Sequence, residues 1–587
     1  MPATPDPAVA EALRLLDKRH VVLVAHDVSF PLSPGEDLGH GSPYSRAGRA
    51  FLEQARTLGF DAVQLGPQGR TSAGNPSPYD ATLFSRNELA LGLADLVDDP
   101  ELEGLVPADH VAAAVETAAA DGRRADHAAA RAAMADVLAA SHARLAARPR
   151  VALDLARFVR KASAWLEPDT AFDLGTQPQA DRRVHAERYA LAQWLFHRQH
   201  AAWRRWLGGL GMTVWGDLQV GMAPCDVARF RGLFLPGYRL GAPPSRTNPS
   251  GQPWGYPVFD PGRFDPDEPR AEASVIAFLR ARMAKMWSEY DGVRVDHPHG
   301  LVCPWVYRTD VPDPGAAVQG GARLFESPAL CDHPALARFA RVRPEQLNPD
   351  PTTPRHADDW IVALDDEQVD AYAVLIDTIV GPPPTSSRAR IMCEVLSTMP
   401  YPLQRVMQRH GLGRYRVTQK ADPDDPHDVY RAENARPEDW IMVGNHDTPS
   451  LWRLARTWVV SARGAAEARD LARRLRPGED PAPLAASLQQ DATALVHAKV
   501  ADAFASRAQG VKVFFADLCG LDETYNEPGT VGPHNWTLRV PPDFAGHAAR
   551  ARAGRALDLR RALADALRAR GLGDSHMELI MRLERRA

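Results

Sequence analysis

Three short strings each close an apolar, strand-like run on an acidic residue: VRVDH at 293–297, IMCEV at 391–395 and IMVGNHD at 441–447. They deliver Asp296, Glu394 and Asp447 in that order. Any one string is weak, because a chain with 74 acidic residues often places one after apolar neighbours. The ordered trio carries more. In a parallel α/β barrel the C-terminal ends of successive strands converge, so carboxylates roughly 100 and 50 residues apart become neighbours. Paired carboxylates in a cleft suit glycosidic-bond chemistry. The transition state builds positive charge on the sugar ring, so one carboxylate faces the ring while a protonated carboxyl serves the leaving oxygen. In the retaining form of that chemistry Asp296 and Glu394 stand about 5–6 Å apart. Arg294 precedes Asp296 by two positions, so both side chains point to one face of a strand. Arg294 and His446 are expected to keep Asp296 ionised. Read alone, Arg294–Asp296 is equally an ordinary same-face ion pair.

The rest of the chain must position these groups. VVLVAHDVSF (21–30) and FDAVQLG (60–66) read as strands around a helical stretch at 47–60, a β-α-β opening. The texture from 107 to 205 is rich in Ala, Arg and Leu at helical spacing and reads as a helical insertion. MTVWGDL (212–218) returns to strand, and the Gly- and Pro-rich stretch 237–257 reads as a long ordered loop. A helix from about Glu272 to Trp287 leads into VRVD. A second insertion, 300–385, contains a helix over 366–380. After NHD the sequence is helical to about Ala508, then KVFFADL (512–518) gives a late strand and 551–571 a closing helix. The expectation is a (β/α)8 TIM barrel with helical and loop insertions and no C-terminal β-sandwich domain. Its parts are 1–106, the first barrel segment; 107–205, the helical insertion; 206–299, barrel with the loop 237–257; 300–385, the second insertion; and 386–587, the remaining barrel and C-terminal helices.

Composition excludes several function classes. At 587 residues and 45% hydrophobic content the chain can bury a large core, and a net charge of −5 offers no basic footprint for nucleic acid. The N-terminal sequence lacks a basic start followed by an apolar core, and no stretch approaches the ~20 apolar residues of a membrane span. Five scattered cysteines without a Cys-x-x-Cys pair indicate a reducing, cytoplasmic setting and no structural zinc. His297 and His299 lack a third ligand nearby and read as hydrogen-bonding groups at the strand end, not as a metal pair.

VRVDH, the strand-closing Glu and NHD resemble the conserved regions of the α-amylase clan of α-glucan-active retaining enzymes. LGFDAVQLGPQG (58–69), SPY (77–79), WGDLQVG (215–221), GAPP (241–244), GQPWGYP (251–257), NEPGT (526–530) and NWTLRV (535–540) narrow the resemblance to the 4-α-glucanotransferases of glycoside hydrolase family 77. The resemblance implies Asp296 as nucleophile, Glu394 as general acid/base and Asp447 as a third carboxylate gathering sugar hydroxyls. It also implies His446 and Arg294 as hydrogen-bonding partners and Tyr79 as a stacking platform, the other reading of Tyr79 being a ring covering core. Asp217 corresponds to an aspartate near the active site or caps a turn. Trp254 is a sugar platform or a core Trp, and Asn535 and Trp536 are family markers without a role. The implied substrates are an α-1,4-glucan or maltooligosaccharide donor and a sugar acceptor, with no cofactor, nucleic acid or membrane; oligomeric state is open. The alternatives are an α-glucan hydrolase and a non-catalytic glucan-binding protein.

The chain departs from the family pattern beside each motif. Pro298 and His299 replace Phe-Arg after the nucleophile strand, and Val395, Leu396 and Ser397 follow Glu394 where Asp-Leu-Gly is usual. Thr448 and Pro449 follow Asp447 in place of Asn, and Ser245 and Arg246 replace an acidic and aromatic pair after GAPP. No carboxylate is lost.

Overall fold

The computed structural model describes residues 3–118, 120–174, 181–328, 330–381 and 390–585. Eight strands form one sheet in the order β10-β11-β12-β1-β2-β3-β6-β9. These are β1 (His20–Val24), β2 (Ala62–Gln64), β3 (Thr213–Leu218), β6 (Gly292–Val295), β9 (Ile391–Cys393), β10 (Tyr415–Val417), β11 (Trp440–Met442) and β12 (Gly510–Phe514). Pairing is parallel in the registers Val22 to Ala62, Ala62 to Thr213, Val293 to Ile391 and Val21 to Val511. Beyond β9, the Tyr415 amide donates to the Val395 carbonyl at 3.0 Å, bringing the two ends of the order together. The fold is a (β/α)8 barrel, and among the described residues no strand follows β12.

The strands are shorter than the apolar runs that announce them. VVLVAHDVSF gives β1 only to Val24, and Asp27–Ser29 turn into a 3-10 helix. KVFFADL divides likewise into β12 and a helix, Phe515–Cys519. Inside β12, Lys512 donates to Gln64 of β2, so one cation sits buried among barrel strands with a polar partner.

Helix positions follow capping chemistry closely. Ser45 caps Arg46–Thr57 through the Gly48 amide, Ser274 caps Val275–Glu289, and Asp365 with Gln368 forms a capping box at Asp366–Val380. The stretch 107–205 holds the helices Ala108–Ala118, His127–Arg144, Pro149–Leu174 and the first part of Arg182–Gly209. The expected division at 385 lies outside the described residues.

Contacts divide the chain into two compact units. The first comprises Met1–Trp215, Val417–Pro437 and Ile441–Ala587; the second comprises Gly216–Arg416 and Glu438–Trp440. In the second unit the structure corrects one expectation. Residues 237–257 are largely strand, not loop: β4 (Phe234–Ala242) and β5 (Gln252–Phe259) form an antiparallel hairpin. With β7 (Trp305–Arg308) and β8 (Ala322–Arg323) they make a sheet of order β5-β4-β7-β8. The loop-like composition has a physical cause. The register shifts between Phe234/Arg239 and Leu240/Gly241, and Gly237, Gly251 and Gly255 take positive φ, so Gly and Pro serve bulges and turns within a paired ribbon.

Candidate active site

In the second unit, three strand ends meet on one guanidinium. Arg294 of β6 is 3% exposed; its Nη1 lies 2.6 Å from Asp217 Oδ2, at the end of β3. Its Nη2 lies 3.1 Å from Asp296 Oδ1 and 2.6 Å from Glu394 Oε2, just beyond β9. Local sequence builds this convergence. Arg294 and Asp296 share a face by strand alternation, and Arg294 pairs in register with Met392, two residues before Glu394. The Asp296 amide donates to Leu218 and the Glu394 amide to Val295, continuing the ladders to the two acids. Gly216 leaves room beside Asp217 for the Tyr290 ring, which a Cβ there would meet at 2.5 Å. Val220 of the DLQVG string donates its amide to Asp296 Oδ2 at 3.3 Å.

The electrostatics are those of too many acids for one cation. Burial pushes the Asp217 carboxyl up to about 7; Arg294 opposes this, and Asp296 and Glu394 add to it. Burial also raises Asp296, with Arg294 and His297 pulling it back and Glu394 pushing it further. The expectation that Arg294 would keep Asp296 ionised thus captures the sign of one contribution, while burial outweighs it. Asp217 and Asp296 are thus both pushed toward their protonated forms, chiefly by burial.

His297 completes this cluster. It has φ of +37°, uncommon for any residue but glycine, and its Nδ1 lies 3.5 Å from Glu394 Oε2. Its ring stacks on Trp254 of β5 with centroids 4.8 Å apart and planes 17° from parallel. Trp254 is half-buried, so it is not a core Trp. His299, expected as a hydrogen-bonding group, donates Nε2–H to the Thr398 carbonyl at 3.0 Å, tying the segment after Asp296 to that after Glu394. Burial holds its imidazole down at about 3, so it is neutral there.

Asp296, His297 and Glu394 offer oxygen and nitrogen atoms all within 4.8 Å of one another, the spacing of a metal-ligand group. Arg294 already places a fixed positive charge between two of these carboxylates, which disfavours a second cation there.

The first unit holds the remaining predicted residues. Asp447 is about a third exposed and sits beside His446, Oδ2 to Nε2 3.4 Å. Tyr79 stacks on His446 with centroids 5.0 Å apart and planes 18° from parallel. Sequence reasoning missed what surrounds them. Asn526 of NEPGT donates to Asp447 Oδ1 at 2.6 Å. His26, Tyr525 and Trp536 pack with Tyr79 and His446 into one aromatic cluster, the His26 and Trp536 centroids 5.2 Å apart. Trp536 takes φ of +58°, and Gly66 makes room for His26, whose ring a Cβ would meet at 2.0 Å. The signal was present in the motifs LGPQG, NEPGT and NWTLRV, but nothing in their spacing reveals a shared neighbour. Asn535 holds the NEPGT turn, accepting from the Glu527 amide and donating to the Thr530 carbonyl. Thr448 closes the turn at Asp447 by bonding both the amide and the carbonyl of Asn445.

A (β/α)8 barrel whose strand ends gather buried carboxyls onto an arginine belongs to the class of barrels built around an acidic centre at the C-terminal mouth. A family model described as 4-alpha-glucanotransferase, glycoside hydrolase family 77, matches residues 175–544, and the chain belongs to that family. Curated relatives include the 4-alpha-glucanotransferase of Solanum tuberosum, 24% identical over 49% of this chain and 53% of its own length. That of Thermus thermophilus is 28% identical over 24% of this chain and 28% of its own. The matched segments thus span about half the length of these relatives or less. Among solved structures, the chain shares its fold with an amylomaltase from Streptococcus agalactiae in complex with acarbose. The TM-score is 0.66, with 17% identity and coverage of 95% of this chain and 99% of that one. An amylomaltase from Corynebacterium glutamicum gives a TM-score of 0.65, with 19% identity and coverage of 96% and 77%.

Proposed function

We propose that the protein is a 4-α-glucanotransferase that moves α-1,4-glucan segments between maltooligosaccharides by a retaining double displacement. The observation that carries this reading is the shared hold of Arg294 on Asp296 and Glu394, whose oxygens approach within 4.8 Å. Inverting chemistry needs carboxyls ~6.5–9.5 Å apart to admit a water between acid and base, whereas retaining enzymes hold them near 5 Å.

In this reading Asp296 attacks the anomeric carbon as Glu394 gives its proton to the departing glycosidic oxygen. The bond to the leaving glucan breaks as the bond to Asp296 forms. Glu394, now ionised, takes the proton from the 4-hydroxyl of an incoming sugar, which displaces Asp296. Because Glu394 Oε2 faces Arg294, the transferable proton belongs on Oε1. Arg294 steadies the negative charge on the acids, and Asp217 lends a buried carboxyl that keeps a proton near neutral pH. Asp447, with Asn526 and His446, gathers sugar hydroxyls, and Tyr79 offers a ring face. Trp254, backed by His297, is a wall for the acceptor. A reducing, cytoplasmic setting and a role in starch or glycogen metabolism fit this activity and the unpaired cysteines.

Maltotriose as sole substrate tests the reading. Transfer yields glucose together with products longer than the substrate and little gain in reducing ends. A steady rise in reducing ends without longer products would make the protein a hydrolase.

A further inference from the structure

A second charged cleft lies in the first unit, between the helices His127–Arg144 and Arg182–Gly209. Its volume is about 200 Å³. Arg131, Met134 and Leu138 line it from the first helix at i, i+3 and i+7, and His185, Arg188, Tyr189 and Ala192 from the second at i, i+3, i+4 and i+7, so each helix presents one face. Arg70 and Glu88 close one side.

The charges are unevenly paired. Arg70 is neutralised: Nε and Nη2 lie 2.8 and 3.1 Å from the two Glu88 oxygens, Nη1 lies 3.4 Å from Asp173, and the guanidinium covers Tyr189 at 4.7 Å. His185 is bound to the same Asp173 at 2.6 Å. Arg131 differs. Its Nη2 donates to the Thr71 carbonyl at 3.2 Å, the Thr71 hydroxyl at 3.4 Å and the Ser72 carbonyl at 3.3 Å, and no carboxylate among the described residues forms an ion pair with it. Burial draws its guanidinium below the ordinary value in spite of Glu88, and the like charge of Arg70 adds to that. Arg188 stands exposed at the rim. Two arginine forks therefore border a small cleft whose carboxylates are already committed to other partners.

We propose that this cleft binds a phosphate monoester, its dianionic oxygens taken by Arg131 and Arg188 and its organic part resting on Met134 and Leu138. Guanidinium forks match phosphate oxygens in pairs, which an ammonium cannot do. The apolar wall gives a phosphorylated small molecule more contact than free phosphate, and the cleft is smaller than the ~300–1,000 Å³ typical of drug-sized ligand sites.

Titration calorimetry on the full chain tests this without reference to glucan transfer, so its outcome is separable from the activity proposed above. The probes are inorganic phosphate, glucose 6-phosphate and glucose. One saturable site for both anions, in mutual competition, with glucose silent, is expected. Glucose 6-phosphate binding tighter than phosphate supports the monoester; equal affinities, which leave the apolar wall without a part, overturn it. Arg188→Gln, at an exposed position, should weaken binding roughly tenfold, the loss of one charge-assisted contact. Adding Arg131→Gln should abolish it, with circular dichroism melts reporting that the variants fold. The proposal is overturned by absence of saturable anion uptake, by uptake undiminished in Arg188→Gln, or by glucose binding as well as its phosphate.

Discussion

Arg294 Nη2 touches Glu394 Oε2 at 2.6 Å although the two residues are about 100 positions apart, because β6 and β9 lie side by side in register. The contact makes Arg294 the common counter-ion of Asp217, Asp296 and Glu394. Arg294→Lys keeps one positive charge but cannot fork to three acids. Activity should fall at least about a hundredfold, with a lowered melting temperature, since breaking a buried pair costs ~3–5 kcal/mol. Steady-state kinetics with calorimetry checks this, and a fully active Lys variant would show that the fork is not required.

Asp296→Asn should abolish turnover, by about a thousandfold or more, while the protein still folds, because an amide neither attacks nor balances the ring charge. Glu394→Gln should be nearly as poor on oligosaccharides but should keep first-step activity on an α-glucosyl donor with a good leaving group. Equal losses on both donors would remove Glu394 from the acid role.

Trp254 and His297 form a stacked pair beside Glu394, so removing the indole opens the site to water. Trp254→Ala should raise the share of hydrolysis in the maltotriose assay several-fold at similar total turnover. An unchanged ratio of glucose to longer products would place the acceptor wall elsewhere.

Asp517, buried after β12 and accepting from the Leu451 amide at 2.8 Å, has its carboxyl pushed up by burial to about 7. Between pH ~4 and 7 the folded protein keeps this proton while the unfolded chain has lost it, so stability falls as pH rises through that window and levels off above it. Asp517→Asn keeps an acceptor for Leu451 and removes the ionisation. Its melting temperature should exceed that of the unsubstituted protein at pH 8, and the gap should shrink toward pH 4. A constant gap across that range would show that Asp517 does not titrate there.

Much of the barrel was legible because its signals are local. The runs before Asp296, Glu394 and Asp447 are apolar and lead directly to the acid, and Asp365 with Gln368 marks the start of Asp366–Val380 within the chain itself. The hairpin β4–β5 was not legible, since Gly237 and Gly255 advertise a loop while pairing across the ribbon supplies the strand. The left-handed backbone of His297 and the clustering of His26, Tyr79, Tyr525 and Trp536 were hidden for a different reason. Both depend on neighbours far away in sequence, which no spacing rule encodes.

The turn closed by Thr448 shows what the position after Asp447 must supply. The position after Asp447 needs a side chain that accepts one amide proton and gives one proton to a carbonyl, and a hydroxyl meets that demand as an amide does. Asn likewise carries one acceptor and donors on a short side chain, so the family's usual residue brings the same kinds of group to this place. Ala or Val at 448 would leave the Asn445 amide and carbonyl without these two bonds, in a turn where both groups are buried. The hydroxyl thus fixes the turn on which Asp447 stands, and the Asp447 amide is itself held by the Asn445 side chain at 3.1 Å.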